Sequence, residues 1–335
     1  MIKHLDELVA AAVARGKKKM IVAYGQDTHS IGATDMAIKA GLAEVTLVGD
    51  PEEIKKSCEA EGVDMSQYTI IPETEDVKAV EIAVKAVHNG EYDVLMKGVV
   101  PTDKYMRGIL NKEWGLLPQG TVLSHVTVLE VPAYHKLLVV SDVAVLPCPS
   151  LEQKKQIAKY LLTTANNLGI EEPKVALIAP SEQLLPKVVS SVEAKELSDL
   201  GQAGELGKGL FQGPLALDVA IDEESVKIKK LTGPVAGDAD CLLFPNLESG
   251  NVFFKACSKF GARRWFPREA WFRAPRRWAR WWCPPPQEAR SQAGGVFRSD
   301  LRFGDPLRQA EKTPACSSTG SGSARKGQGF VTSVS

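Results

Sequence analysis

The chain has 335 residues, 44% of them apolar, which is enough to fill two packed cores and predicts two domains. Its longest apolar runs, such as the one around Leu137 to Val140, are strand length, and the N-terminus lacks the apolar core of a signal peptide, which predicts neither a membrane span nor a secretory leader. The 41 basic and 41 acidic side chains cancel overall, yet residues 1–258 carry 26 Lys plus Arg against 36 Asp plus Glu, while residues 259–335 carry 15 against 5.

In chain order, Lys19 to Tyr24 is the first predicted strand, and Asp27 to Ala40 has the apolar spacing of a helix packed on one face. Val45 to Val48 is the second strand. Pro51 to Glu61 is helical with proline in the first turn, Thr69 to Ile71 is a short strand, and Val77 to Val87 is an amphipathic helix that stops at Asn89-Gly90. Asp93 to Met96 is again a strand. Short apolar runs alternating with helical patterns of about 10 to 15 residues are the mark of βαβ units and a doubly wound parallel sheet. Val122 to Glu130 and Lys136 to Val140, joined through Val131-Pro132-Ala133-Tyr134, read as neighbouring strands about a turn. Leu151 to Leu168 is a long helix and Lys174 to Ile178 a strand, with Val192 to Gly201 and Ala216 to Leu231 completing the second unit. Gly213-Pro214 reads as a turn ahead of a buried helix face containing Asp218.

Cys241 to Phe244, bounded by Asp240 and Pro245, has the form of a buried strand of a parallel sheet. The polar stretch Asn246-Leu247-Glu248-Ser249-Gly250-Asn251 is expected to be a loop, with a helix starting near Asn251. That order places free backbone N–H groups at the carboxyl end of a sheet, where open α/β folds bind anions. The competing reading is an ordinary connection with an Asn cap. The six cysteines form no CxxC pair, and Cys241 and Cys257 sit in apolar patterns, which fits a reducing cytoplasm. The five histidines show no metal spacing, so no metal is expected. Gly25 to Gly32 contains no full dinucleotide fingerprint, and no Walker loop exists in the chain.

Seven blocks carry a resemblance: LMKGVVPTD (95–103), LNKEWGL (110–116), LSHVTVLEVPAYHKLLVVSD (123–142), LEQKKQI (151–157), LGIEEPKVAL (168–177), GPLALDVAI (213–221) and GPVAGDADCLLFPNLESGNVFFK (233–255). From about residue 3 to 260 the chain resembles the phosphate acetyl/butyryltransferase family, and within it the butyryltransferases more than the acetyltransferases. The resemblance implies exchange of a short-chain acyl group between coenzyme A and phosphate by direct attack in a ternary complex. It implies a coenzyme A thioester as substrate, no tightly bound cofactor, and a homo-oligomer. It further implies two doubly wound α/β domains of the isocitrate/isopropylmalate dehydrogenase type with an interdomain cleft, the last part of the chain returning to the first domain. The expected divisions are 1–142 and 143–258, followed by an anomalous segment at 259–335.

The candidate substrate residues follow from these blocks. Lys97 and Gly98 at a strand end, then Thr102 before an apolar helix, offer a cation, a close backbone approach and a cap, which is a plausible phosphate cradle once the family block is included. By position alone Lys97 is a solvated loop lysine and Thr102 a simple cap. Arg107 reads as a surface helix arginine. Ser124 offers a hydroxyl at the start of a strand, and His125 beside it reads first as a core histidine. Asn246, Ser249, Gly250 and Asn251 complete the set. The expected partners of the chain are small-molecule substrates, acyl-CoA and phosphate, with no membrane partner, and a nucleic-acid partner is disfavoured.

Residues 259–335 differ in kind. They contain 12 of the 14 arginines, five of the six tryptophans and no isoleucine, with runs such as RRWARWWCPPP. Three readings stand: a basic aromatic tail for nucleic acid or anionic membrane, which would make the chain a scaffold or interaction protein; plain disorder; or translation out of frame. The third is preferred because Trp281-Trp282-Cys283, read from each third base, encodes two valines preceded by Val, Leu or Met, an apolar strand like the one the family carries there. The family's Ser-Arg pair and Asp, which the resemblance places in this segment, have no matching positions; Arg298-Ser299-Asp300 has the wrong order. The segment that should return to the first domain therefore reads as lost, and with it the catalytic groups.

Overall fold

The computed structural model describes residues 1–261, with side chains through Lys259. Most of the basic segment, including Arg298-Ser299-Asp300, lies outside the described residues.

The first sheet is built from α1 (Leu5–Ala14), β1 (Lys18–Ala23), α2 (Thr28–Lys39), β2 (Ala43–Gly49), α3 (Pro51–Glu61), a 3-10 turn at Met65–Gln67, β3 (Thr69–Pro72), α4 (Asp76–His88), β4 (Val94–Lys97) and α5 (Thr102–Ile109). Its strand order is β3-β2-β1-β4 and every pairing is parallel. Local chemistry sets the boundaries here. Asp27 accepts from the N–H groups of His29 and Ser30 to start α2. Asp50 caps α3 with Pro51 in its first turn, and Gly62 ends α3 at φ 64°. Alternate residues of β1 go to opposite faces, Ile21 and Ala23 to the cluster under α4 and α5, Val22 to the one under α2 and α3.

The second sheet follows with β5 (Thr127–Leu129), β6 (Leu138–Ser141), α6 (Leu151–Asn167), β7 (Lys174–Ile178), α7 (Val189–Gln202), β8 (Leu210–Leu215), α8 (Leu217–Ile221), α9 (Glu223–Lys229), β9 (Cys241–Leu243) and α10 (Leu247–Ala256), then a π turn at Cys257–Gly261. The order is β5-β6-β9-β7-β8; β5 is antiparallel to β6 and the rest are parallel. The predicted strand pair about Pro132 is present, and it pairs into this sheet although it precedes residue 142. Among the described residues no helix is long and apolar enough to cross a membrane.

Cys241 to Leu243 is the central strand of the second sheet, as its unbroken apolar run requires: Cys241 and Leu243 join the cluster beneath α6 and α7, Leu242 the cluster on the other face. Two expectations are corrected. Gly213-Pro214 is no turn but lies within β8, the edge strand. Among the described residues β8 pairs with β7 alone, the register between them shifts between Ala176 and Ile178, and a Cβ on Gly213 would stand 2.5 Å from the Leu177 Cβ. The second correction concerns the loop at 246–251, described below. The chain also begins with an unforeseen helix: Ile2, Leu5 and Leu8 of the α1 region pack against the second sheet's core, and Glu130 accepts from the Leu5 N–H at 2.9 Å.

The amino ends of β6, β7 and β9 are tied by charge. The Asp238 carboxylate meets Lys136 at 2.8 Å, Lys174 at 2.5 Å and His135 at 2.9 Å, and Lys136 also meets Asp240 at 2.6 Å. Burial works against the Asp238 charge, but the two lysines and His135 outweigh it and hold the carboxyl far below the usual carboxylate range.

Candidate functional site

The polar groups of interest lie at the opposite, carboxyl ends of the strands. In the first sheet β1 and β4 run side by side so that Ala23 faces Lys97. The Gly98 N–H donates to the Ala23 carbonyl at 2.9 Å and the Val99 N–H to the Tyr24 carbonyl at 3.1 Å. Gly98 is obligatory, since a Cβ there would stand 2.1 Å from the Tyr24 oxygen. The close backbone approach expected of Gly98 is thus made to the β1 end of the chain itself. Lys97 is half-buried, its Nζ 3.3 Å from the Gly98 carbonyl. Thr102 is the exposed first residue of α5 and does not cap it: the cap position is Pro101, which has no side-chain oxygen to offer. Arg107 is exposed and lies 3.7 Å from Asp103 one turn earlier, as a surface arginine should.

In the second sheet the residue that gathers the others is Asp142, which follows β6 and is 1% exposed. Its Oδ2 accepts from Ser124 Oγ at 2.9 Å, the His125 N–H at 3.2 Å and the Leu146 N–H at 3.3 Å; its Oδ1 accepts from the N–H groups of Ala144 at 2.7 Å and Val145 at 2.9 Å. Among the described residues, five donors satisfy the buried carboxylate and no cation is paired with it. Ser124 also lies 3.0 Å from Ser141 Oγ. Neither Ser124 nor His125 opens the strand, which starts at Thr127; their place is fixed by Asp142 instead. Burial pushes the His125 imidazole below its ordinary value, opposed by the Asp142 charge. Leu123, one residue earlier, packs against the first sheet's core, so Ser124 sits where the chain passes from one core to the other.

The expected loop at 246–251 is the first turn of a helix. Asn246 is the N-cap of α10, accepting the Ser249 N–H at 3.0 Å and the Ser249 hydroxyl at 2.8 Å. The Leu247 N–H is taken by the Pro147 carbonyl at 3.0 Å and the Gly250 N–H by the Asn246 carbonyl at 3.3 Å. The open nest of donors anticipated for an anion is therefore largely used by the cap, because Asn246 starts the helix five residues earlier than Asn251 would. Gly250 serves contact: a Cβ would stand 2.2 Å from the Asp142 carbonyl oxygen. Asn251 donates its amide to the Val143 carbonyl at 2.8 Å.

The structure thus joins Ser124, Gly250 and Asn251 through Asp142 and Val143, with Asn246 and Ser249 on the same helical turn. Lys97 and Gly98 meet at the end of the other sheet, and Thr102 stands apart from both groups of contacts. Asp142 was missed as a site residue, although an acid two residues after the buried run Leu137 to Val140, beyond Ser141, is a signal. Among the described residues no group of three or more His, Cys, Asp or Glu is placed to hold a metal.

Two largely parallel α/β sheets, with polar side chains collected at the carboxyl ends of their strands, place the chain among the open α/β folds. A family model described as phosphate acetyl/butaryl transferase matches residues 4–83 and 73–265. Phosphate butyryltransferase of Clostridium acetobutylicum is 40% identical over 255 residues, covering 76% of this chain and 84% of that protein. Phosphate acetyltransferase of Thermotoga maritima is 36% identical over 252 residues, covering 75% of this chain and 85% of that protein. The crystal structure of a branched-chain phosphotransacylase from Enterococcus faecalis matches with a TM-score of 0.64 at 27% identity, over 73% of this chain and 85% of that one. The chain belongs to the phosphate acetyl/butyryl transferase family.

Proposed function

We propose that the chain exchanges a short-chain acyl group between coenzyme A and phosphate, with butanoyl-CoA and phosphate giving butanoyl phosphate and coenzyme A. The observation that carries this reading is the 40% identity to a phosphate butyryltransferase over 84% of that protein's length. A phosphate oxygen attacks the thioester carbonyl carbon; the C–O bond forms, the C–S bond breaks, and the electron pair leaves on sulfur, which takes up a proton. Negative charge builds on the carbonyl oxygen and then on sulfur, so the site has to present cations and donors. Lys97, Gly98 and Thr102 are assigned to the phosphate side. Ser124 and the first turn of α10, with Asn246, Ser249, Gly250 and Asn251, are assigned to the coenzyme A side.

The two sheets are read as two domains of the isocitrate/isopropylmalate dehydrogenase type facing a cleft. The division is drawn ahead of β5 and not at residue 142, since β6 pairs with β9. A homo-oligomer in the cytoplasm, without a tightly held cofactor, completes the proposal, and sedimentation tests the assembly. The test of the reaction is coenzyme A release from butanoyl-CoA on adding phosphate. It is followed for this chain and for a second one in which the codons after 258 are read in the shifted frame. Phosphate-dependent release by either supports the reading, and release by neither overturns it.

A further inference from the structure

The hydroxyl of Ser124 has one proton to give and two lone pairs to offer. A carboxylate with five donors around it accepts only, so the 2.9 Å contact between Ser124 Oγ and Asp142 Oδ2 commits the serine proton to Asp142. At the 3.0 Å contact with Ser141 Oγ the serine oxygen is then the acceptor, and Ser141 the donor. One lone pair of Ser124 remains. Ser124 keeps a residual exposure of 7%, and Leu123 before it packs against the first sheet's core.

We propose that Asp142 is a positioning residue that sets Ser124 as a hydrogen-bond acceptor, so that the group recognised there is a donor on the coenzyme A arm, an amide N–H or the thiol S–H, and not a phosphate oxygen. The inference rests on the acyl-exchange reading above and assigns one part of the substrate to one part of that site. Phosphate oxygens are rich in acceptor positions, and an oxygen whose proton points away from them repels them. Asp142 fixes this polarity from behind while its main chain carries the Gly250 contact, where a Cβ would stand 2.2 Å from the carbonyl oxygen. The same residue thereby sets the hydroxyl and the seat of α10.

Two substitutions separate polarity from packing. Ser124→Ala removes the acceptor. Asp142→Asn keeps an oxygen for Ala144 and Val145 but turns an NH2 group toward Ser124, which then accepts from the amide and is free to donate outward. Binding of coenzyme A, of coenzyme A lacking its sulfur, and of inorganic phosphate to the full chain is measured by calorimetry. Melting curves and amide exchange at His125, Ala144 and Val145 are followed alongside. Ser124→Ala is expected to weaken coenzyme A by roughly 2- to 10-fold, the range of one neutral hydrogen bond, and to leave phosphate unchanged. Asp142→Asn is expected to weaken coenzyme A at least as much and to lose protection at His125 before Ala144 and Val145, because only Oδ2 is converted. A loss that persists with the sulfur-free analogue assigns the amide; a loss confined to the thiol form assigns S–H. Either supports the proposal. Weakened phosphate with unchanged coenzyme A in Ser124→Ala overturns it, as does a variant pair that leaves both ligands unaltered while the parent binds them. Should the parent chain bind neither ligand, the same variants are measured in the chain read in the shifted frame after codon 258, where unaltered coenzyme A binding overturns this inference alone; absence of binding and of phosphate-dependent release in both chains overturns the acyl-exchange reading.

Discussion

Gly98 and Gly250 are both set by a backbone oxygen. A Cβ at Gly250 would stand 2.2 Å from the Asp142 oxygen, so Gly250→Ala forces α10 away from the end of β6. An overpacking cost of about 1 to 3 kcal/mol is expected, read as a lower denaturant midpoint; an unchanged midpoint would mean the helix shifts freely. Thr127 has the reverse character. It is buried, and its hydroxyl has no hydrogen-bond partner among the described residues. Thr127→Val removes an unmet polar group from a strand, so stability should be equal or higher by up to about 1 kcal/mol, and a clear loss would reveal a bonded water or ligand at that oxygen. In the chain read in the shifted frame after codon 258, Lys97→Ala should raise the phosphate requirement with a loss of about 1 to 3 kcal/mol for a charge-assisted contact, measured by varying phosphate in steady-state kinetics; unchanged constants would make Lys97 a bystander. Asp142 was illegible at this scale for a physical reason. Its role exists only when the segments around 124, 145 and 250 converge, and no local pattern encodes that convergence.

At the scale of elements the sequence was most readable where a cap and a period agree. Pro51–Glu61 has its proline, its Asp50 cap and its Gly62 stop, and Leu151–Asn167 has the Ser150 and Gln153 capping box, so both helices stand where predicted. It was least readable where a breaker residue sits inside an element. Gly213-Pro214 survives in β8 because the strand is an edge and bulged, and Ser249 and Gly250 survive in α10 because one completes the cap and the other makes a contact. The amino ends of β6, β7 and β9 give a prediction with a sign. Asp238 has its carboxyl depressed in the folded protein, so its contribution is fully present above the unfolded carboxylate value of about 4 and is lost as pH falls from there through the lower folded value. Asp238→Asn removes one of the two carboxylates that meet Lys136, whose side chain is 10% exposed. The melting temperature of the variant should fall well below the parent's at pH 7, and the gap should close as pH drops below about 4. A gap that is constant with pH would assign the effect to packing.

At the scale of the whole molecule, the composition changes close to where the family match ends, near residue 260. The family match runs to residue 265 and spans both described sheets, including the carboxyl ends where the candidate residues gather. The composition changes at 259, where Arg and Trp replace the apolar periods that precede it. The resemblance puts the Ser-Arg pair and the Asp that handle the coenzyme A thiol in the segment after that point, and no position there matches them. Binding and turnover should therefore separate. The residues proposed above for coenzyme A, Ser124 and the first turn of α10, belong to the described part of the chain, so on that proposal the ligand should still bind while thiol activation should be lost. Loss of a general base alone costs about two to four orders of magnitude in rate. The decisive comparison is the turnover of this chain against that of the one with its frame shifted after codon 258, both assayed for coenzyme A release from butanoyl-CoA and phosphate, with binding measured on the same preparations. The expected outcome is coenzyme A binding by both and a turnover at least about a hundredfold lower for this chain. Equal turnover would place the thiol-activating groups within residues 1–258.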